Sequence, residues 1–287
     1  MDTHNPNAAH ITVAVDGSTH AGEALRWAAQ EARARGLALR IMHAWLPLPM
    51  PGGRAASLAE STSILDQAEV QARAFAPGLD VTTVSAADLV GAAIAEESTT
   101  AAMLVLGSRG RGGFRSLLLG STSLTAAAIA RCPVVIVREA LPVEGPARVR
   151  DVVVGLDLDD VAADVLAFAF EEAAAHPAAG LRVLHGWTTG ASAVAGGPVF
   201  DKAAVEEAAT RSLAEATAGW SEKYPQIDIL RAVAHDAPAA ALVGASRHAA
   251  LTVVGRRRSG TSLGLKLGPV AHAVLLHAHG PVAVVPY

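Results

Sequence analysis

Short apolar runs rich in β-branched residues alternate with longer Ala-rich runs along the chain. In the first half, this pattern predicts five strands separated by four helices. Strands joined by crossover helices form a parallel sheet with helices on both faces. We therefore expect an α/β fold with the strand order 3-2-1-4-5. The predicted strands lie near residues 11–15, 38–43, 79–84, 102–106 and 133–137, and the predicted helices near 19–35, 57–75, 87–98 and 121–131.

The same pattern occurs twice, because segments of the first half return in the second half at nearly constant offsets. The stretch around Asp16 returns around Asp157, 141 residues later, and the stretch ending in Trp45 returns at an offset of 142 residues. Glycines 107 and 120 correspond to glycines 255 and 268, at an offset of 148 residues. We predict two tandem domains, residues 1–141 and 149–287, joined by a linker at 142–148.

Glycines cluster after the fourth predicted strand of the first copy. The segment begins Gly107-Ser-Arg-Gly110 and, after nine intervening residues, ends in Gly120-Ser121 at a predicted helix start. Glycines tolerate positive φ and let backbone N–H groups approach an anion, and a helix start adds unpaired N–H groups. Ser121 could cap that helix or bind a phosphate. The segment fits neither a P-loop nor a dinucleotide fingerprint, and it predicts another kind of phosphate loop. A surface loop that binds nothing is the alternative.

The expected topology brings this loop to the end of the first strand. In a doubly wound sheet the ligand crevice lies at the carboxyl ends of the strands where the strand order reverses, here between strands 1 and 4. Asp16 ends the first of these strands and Gly107 ends the other. A carboxylate there can accept hydrogen bonds from ribose hydroxyls. Asp16 could instead cap the turn or helix that follows it.

The tandem repeat and the spacing of the glycines resemble the universal stress protein family over nearly all of the chain. The resemblance implies two tandem Rossmann-like domains of the adenine nucleotide alpha hydrolase-like type, which bind a nucleotide and act as a regulator. It also implies that Asp16 contacts the ribose. The backbone at Ala44 would contact adenine, beside an apolar wall from Ala14 and Leu106.

The same resemblance assigns the phosphate side of the site. Gly107 and Gly110 would line the ribose and phosphates of ATP, and Gly120, Ser121 and Thr122 would hold the phosphate tail. Mg²⁺ would be bound mainly through the phosphates.

Three arginines lie in or beside the glycine-rich loop: Arg109, Arg111 and Arg115. We expect one of them, taken as Arg109, to neutralise phosphate charge. Three solvated arginines would describe the sequence equally well.

The second copy departs from the motif at two positions. Arg258 stands where the second glycine should be, and Pro269 stands where the serine should be. A long side chain obstructs close backbone approach, and proline lacks both the hydroxyl and an N–H donor. We expect nucleotide binding there to be weakened or lost, although the run 256–258 of three arginines could hold an anion directly.

Composition narrows the remaining classes. A net charge of −4 without a basic block argues against nucleic acid as the partner. The single cysteine, Cys132, excludes an internal disulfide, fits a reducing compartment, and is expected to be a small buried residue.

The polar N-terminal stretch does not resemble a signal peptide, so we expect a cytoplasmic protein without a membrane span. The spacing of His272, His277 and His279 does not support a metal site, and His43 and His185 are expected to share a packing or hydrogen-bonding role.

These observations leave three classes of function. We expect a stress- or dormancy-linked regulator that binds ATP in its first domain and acts on an unidentified protein partner. A slow ATPase or phosphotransferase is the alternative, but no lysine or general base is evident for the γ-phosphate. A scaffold that binds no nucleotide is the third class. Apolar last strands at 134–137 and 282–285 suggest association, including a homodimer.

Overall fold

The computed structural model of the protein describes residues 9–111, 118–138, 151–176, 178–188, 201–258 and 267–287. The chain folds as two units, one from each half. The predicted linker at 142–148 lies outside the described residues.

The first unit is a parallel sheet covered by helices. Its strands lie in the order β3-β2-β1-β4-β5, which is the order that the sequence predicts, and every recorded pairing between them is parallel. The predicted elements are present, with boundaries shifted by a few residues. The described elements are β1 (His10–Ala14), α1 (Thr19–Arg35), β2 (Ala38–Ala44), α2 (Gly53–Phe75), β3 (Val81–Ala86), α3 (Val90–Glu97), β4 (Met103–Gly107), α4 (Ser121–Ile129) and β5 (Val134–Val137).

The second unit repeats this topology. Its strands lie in the order β8-β7-β6-β9-β10, which corresponds strand for strand to the order of the first unit. A short 3₁₀ turn at Ser246–His248 precedes its fourth strand. The described elements are β6 (Asp151–Gly155), α5 (Ala163–Ala175), β7 (Leu181–Gly186), α6 (Lys202–Lys223), β8 (Ile229–Ala234), α7 (Pro238–Ala245), β9 (Ala249–Arg256), α8 (Pro269–His277) and β10 (Val282–Pro286).

Each core is built on the two central strands. Val13 of β1 and Val105 of β4 are fully buried in the first unit, as are Val154 and Val253 in the second. Parallel strands that are covered on both faces read as continuous apolar runs, which is the pattern seen in the sequence. Burial of each such side chain stabilises the fold by about 1.5–3 kcal/mol.

Helix α1 shows why its boundaries agree with the sequence prediction. Ser18 is the N-cap, and its hydroxyl accepts a hydrogen bond from the backbone N–H of Ala21 at 3.2 Å. Gly36 ends the helix at φ 65°, a left-handed conformation that glycine adopts without steric cost. Both signals can be read directly in the chain.

Cys132 is buried, as expected from its sequence context. Burial raises the pKa of its thiol to about 12. The thiol is therefore protonated at neutral pH and behaves as a small core residue.

A partly buried ionic cluster lies at the start of the sheet in the first unit. The carboxylate of Glu97 accepts hydrogen bonds from the hydroxyl of Thr12 at 2.7 Å and the guanidinium of Arg40 at 3.1 Å, and it lies 3.0 Å from Nε2 of His10. Burial raises the pKa of Glu97, but these hydrogen bonds and the charge of Arg40 outweigh it, so the pKa lies below its ordinary value of 4.5. The cluster joins β1, β2 and α3.

We predict that this cluster makes stability depend on pH. The folded-state pKa of Glu97 is depressed, so its stabilisation is present above the unfolded pKa and is lost as pH falls through the folded pKa. Glu97→Gln should lower the free energy of unfolding at pH 7 by about 1–3 kcal/mol and lose less stability than the wild type between pH 5 and the acid limit. Urea unfolding across this range is the measurement.

The matched control is Glu69→Gln, because Glu69 forms an exposed ion pair with Arg73 on α2. It should change the free energy of unfolding by less than about 0.5 kcal/mol. Identical acid dependence in the wild type and Glu97→Gln would contradict the assignment.

Candidate functional site

Asp16 lies two residues beyond the end of β1 and is held by two backbone donors. Its Oδ1 accepts from the N–H of Ser18 at 3.0 Å, and its Oδ2 accepts from the N–H of Arg111 at 2.9 Å. The first bond forms the turn that leads into the N-cap of α1, so the capping interpretation is correct as far as it goes. The second bond ties the carboxylate to the glycine-rich loop. The structure therefore brings together the end of β1 and the loop after β4.

The pKa of Asp16 shows how this environment favours the charged form. Burial raises the pKa, but the hydrogen bonds from Ser18 and Arg111 and the nearby guanidinium lower it by more. The pKa lies below its ordinary value, so the carboxylate is ionised at neutral pH. An ionised carboxylate accepts hydrogen bonds and does not donate them, which suits a partner that carries hydroxyl groups.

Gly107, at the end of β4, lies against the first turn of α1. A Cβ at this position would lie 2.6 Å from the carbonyl carbon and oxygen of His20. Its φ is not positive, and neither is that of Gly110 or Gly120. The suggestion that these glycines serve positive φ is therefore wrong, and close approach is the physical reason for Gly107.

Gly110 and Gly120 differ in how closely other atoms of the protein approach them. A Cβ on Gly110 would overlap Oδ2 of Asp16, so glycine lets the loop lie on this carboxylate without displacing it. Gly120 is less constrained, because the nearest atom to its Cβ position is the carbonyl oxygen of Ser108 at 3.4 Å. The N–H of Gly120 donates to that same oxygen at 2.8 Å, which closes the loop between β4 and α4.

The N-terminus of α4 differs from the sequence expectation in one respect. Gly120 is the N-cap, with φ −75°, and no side chain caps the helix. Ser121 is the first helical residue, so its hydroxyl does not act as the cap that we considered. Ser121 and Thr122 are both exposed, and they present the uncapped start of the helix to the surface. Such a terminus favours negative charge.

Ser123 is a structural residue of the loop that the sequence analysis missed. It is 3% exposed, and its hydroxyl donates to the carbonyl of Gly107 at 2.7 Å. This bond joins α4 to the end of β4. Its position two residues after Ser121 was the available signal, since two residues turn about 200° around a helix and so place Ser123 on the face opposite the exposed Ser121.

The apolar side of the crevice lies at the ends of β1, β2 and β4. Ala14 pairs in register with Leu106 on one side and with Met42 on the other. Ala44 ends β2, opposite Ala86 of β3. Ala14 and Ala44 are half-buried, and Leu106 is buried. The structure thus brings Ala14 and Leu106 together as neighbours and places Ala44 at the end of the strand next to β1.

Trp45 follows directly and links this side of the crevice to α2. Its indole N–H donates to the hydroxyl of Ser85 at 2.8 Å, and that hydroxyl is 2.8 Å from the hydroxyl of Ser61. The guanidinium of Arg54 lies 5.9 Å from the centroid of the indole. Strands β2 and β3 are therefore joined to α2 at the level of the crevice.

His43 and His185 have the shared hydrogen-bonding role that the repeat predicts. Nδ1 of His43 donates to the carbonyl of Val15 at 2.7 Å, and Nδ1 of His185 donates to the carbonyl of Leu156 at 3.0 Å. Each bond fixes the backbone just before the aspartate that follows the first strand of its copy.

The arginines of the first loop have different environments. Arg109 is half-buried, and burial together with the charge of Arg109 lowers the pKa of Arg138, which follows β5. Two cations therefore lie close together beside the end of β4. Arg111 is exposed, and its Nη1 donates to Oε1 of Glu60 at 2.6 Å. Arg115 lies outside the described residues.

In the second copy, side chains of the protein itself contact the aspartates that follow β6. Asp157 forms the same turn as Asp16, because it accepts from the N–H of Asp159 at 3.1 Å. Nε of Arg257 donates to Oδ2 of Asp160 at 2.6 Å, and Arg257 also lies 3.6 Å from Asp157. The hydroxyl of Tyr287 donates to the same oxygen of Asp160 at 3.1 Å.

Substitutions in the motif of the second copy also remove hydrogen-bonding groups that the first copy has. Pro269 is the first residue of α8 and offers no N–H. Ala271, buried, occupies the position that corresponds to Ser123, so the hydroxyl tie to the strand is missing as well. The ring of Tyr287 lies over Gly255, where a Cβ would be 2.7 Å from its Cε1.

Comparison with known proteins agrees with this repeat. Residues 8–138 and 148–286 each match the universal stress protein family. The chain belongs to the universal stress protein family. A universal stress protein of Mycobacterium tuberculosis is 34% identical over 289 residues, covering 96% of this chain and 95% of the relative. A universal stress protein of Mycolicibacterium smegmatis is 32% identical over 286 residues, covering 96% of each chain.

A solved universal stress protein structure shares the fold. The protein from Archaeoglobus fulgidus superposes with a TM-score of 0.70 at 17% identity, covering 96% of this chain and 98% of that chain. Among the described residues, no helix combines the length and apolarity needed to cross a bilayer.

The two glycines of the first-unit motif make a matched stability test. Gly107→Ala should lower the free energy of unfolding by about 1–3 kcal/mol, because the new methyl group would displace the first turn of α1. Gly120→Ala should lower it by less, by about 0.5–1 kcal/mol, because its Cβ would make ordinary contacts and the cost is that of alanine at an N-cap. Urea unfolding in the absence of nucleotide measures both. Equal effects would mean that Gly107 is not a close-approach position.

Proposed function

We propose that the first unit of this universal stress protein binds an adenine nucleotide, ATP with Mg²⁺ held mainly through the phosphates, and that binding regulates a protein partner. One observation carries the proposal: the Asp16 carboxylate and the loop from Gly107 to Gly110 meet at the reversal of strand order between β1 and β4. In a doubly wound sheet, ligands bind at this point.

The residues present fit a nucleotide. The N–H groups at the uncapped start of α4 suit phosphate oxygens, and the absence of a side chain at Gly110 lets the loop lie against the Asp16 carboxylate. In this proposal Asp16 accepts hydrogen bonds from the ribose, while Ala14, Leu106 and the backbone at Ala44 contact the base.

The phosphate side of the proposed site combines backbone and charge. Gly107 and Gly110 line the ribose and the first phosphates, and Gly120, Ser121 and Thr122 hold the phosphate tail. Arg109 adds positive charge beside them. The Mg²⁺ that accompanies ATP would supply further neutralisation of the phosphates.

We propose one working site in each chain. In the second unit, Arg257 engages Asp160 and approaches Asp157, so the carboxylates at the end of β6 already face a cation. Arg258 and Pro269 replace two groups that the first unit offers. The second unit would then serve folding and association.

We propose regulation in preference to turnover. In this proposal Asp16 binds the ribose, so it is not available as the general base that would activate an attacking water at the γ-phosphate. The cytoplasmic location, the homodimer and the regulatory partner are parts of this proposal. They rest on composition and on the family resemblance.

The first experiment is a calorimetric titration of the full chain with ATP and Mg²⁺. We expect one ATP per chain, and we expect Gly120→Arg to abolish binding, because a long side chain at the N-cap would lie beside Ser108 and Arg109 and block the start of α4. The matched control is Gly268→Arg, the corresponding position of the second copy, which should leave the titration unchanged.

The outcomes separate the alternatives. Two ATP per chain would overturn the assignment of a single working site. The absence of binding at millimolar ATP would overturn the nucleotide proposal and favour the scaffold. Saturable phosphate release that Gly120→Arg abolishes would favour the enzyme.

A further inference from the structure

Arg111 reaches across the mouth of the first-unit crevice. Its backbone N–H is bonded to Asp16, while its Nη1 donates to Oε1 of Glu60 on α2 at 2.6 Å. Between these two contacts its guanidinium passes over Gly17, where a Cβ would lie 2.9 Å from Nη2. Gly17 has φ 77°, a left-handed backbone conformation that favours glycine. The side chain thus links the loop after β4 to α2 across the end of β1.

Glu60 extends from a helix that is fixed to the sheet. The neighbouring residue, Ser61, is fully buried, and its hydroxyl is bonded through Ser85 to the indole of Trp45. The Glu60 backbone is therefore held in place by β2 and β3, even though its carboxylate is exposed. Glu60 therefore extends from the side of the crevice formed by β2, β3 and α2, which is the proposed base side. Arg111 extends from the loop after β4, which is the proposed phosphate side.

A guanidinium binds carboxylate and phosphate with the same arrangement of N–H donors. We propose that Glu60 competes with the nucleotide for Arg111. Without nucleotide the guanidinium of Arg111 pairs with the Glu60 carboxylate, and when a nucleotide binds this pair breaks and the guanidinium binds the phosphates instead. Arg111 and Glu60 together then determine how strongly the site prefers a phosphorylated nucleotide to a nucleoside. This inference rests on the proposed nucleotide site and adds a specificity determinant to it.

The size of the effect follows from exposure. The side chains of Arg111 and Glu60 are 52% and 60% exposed, so solvent screens the ion pair. Release of Arg111 from such a pair corresponds to a change in affinity of about two- to five-fold. The competition can therefore tune the preference for phosphate without closing the site.

A double-mutant cycle tests the inference. The wild type, Glu60→Gln, Arg111→Gln and the double variant are each titrated with ATP and with adenosine. Glu60→Gln should bind ATP about two- to five-fold more tightly, and Arg111→Gln should bind it more weakly. The double variant should match Arg111→Gln, because Glu60 acts only through Arg111. Affinity for adenosine should be the same in all four proteins, since side-chain replacement leaves the Arg111 N–H in place.

Two controls separate this effect from general electrostatics. Glu69→Gln removes a carboxylate from an exposed ion pair on the same helix, and it should leave both affinities unchanged. High salt should remove the gain seen in Glu60→Gln, because exposed ion pairs are screened.

Each result supports or overturns one proposal. An unchanged or weaker ATP affinity in Glu60→Gln, or an equal increase in its affinity for adenosine, would overturn the proposed competition for Arg111 while leaving the nucleotide site in place. Failure of the wild type to bind either ligand would overturn the proposed function itself.

Discussion

The close approach of α1 to the end of β4 is the constraint on which the crevice depends. Gly107 lies against the backbone of His20, and no side chain could fit between them. This contact sets the distance between the end of β1 and the loop after β4. Asp16 and Gly110 can then meet directly, which gives the loop its hydrogen bond to the carboxylate. A glycine-rich motif that looks like a ligand-binding signal is therefore also a packing requirement.

The two copies show which features of the motif the fold keeps when the motif itself changes. Both keep the strand order, the aspartate turn and the histidine that fixes the backbone before that turn. The second copy loses the glycine that allows the loop to lie on the carboxylate and the serine at the start of the fourth helix. The retained features satisfy backbone groups or packing. The losses include a structural bond as well, because Ala271 cannot replace the Ser123 hydroxyl that joins α4 to β4.

Charge is used differently at the two ends of the first sheet. At the start of β1, the carboxylate of Glu97 is bonded to Thr12 and Arg40 and lies 3.0 Å from His10, so side chains of the protein partner its charge. At the other end, Asp16 is half-buried and keeps its charge through backbone donors. The first arrangement stabilises the fold, because a buried charge must be paired. The second holds an ionised acceptor at the surface of the crevice.

The sequence by itself determined the repeat, the strand order and the boundaries of α1, because hydrophobic periodicity and capping residues act locally. It also located Asp16, Gly107 and Gly110, since strand ends and glycines can be read along the chain. Only the tertiary structure decided what these glycines do, that Ser123 ties α4 to β4, and that Arg111 meets Glu60, 51 residues away. Such contacts depend on how closely separate elements pack, and no local pattern in the chain encodes that distance.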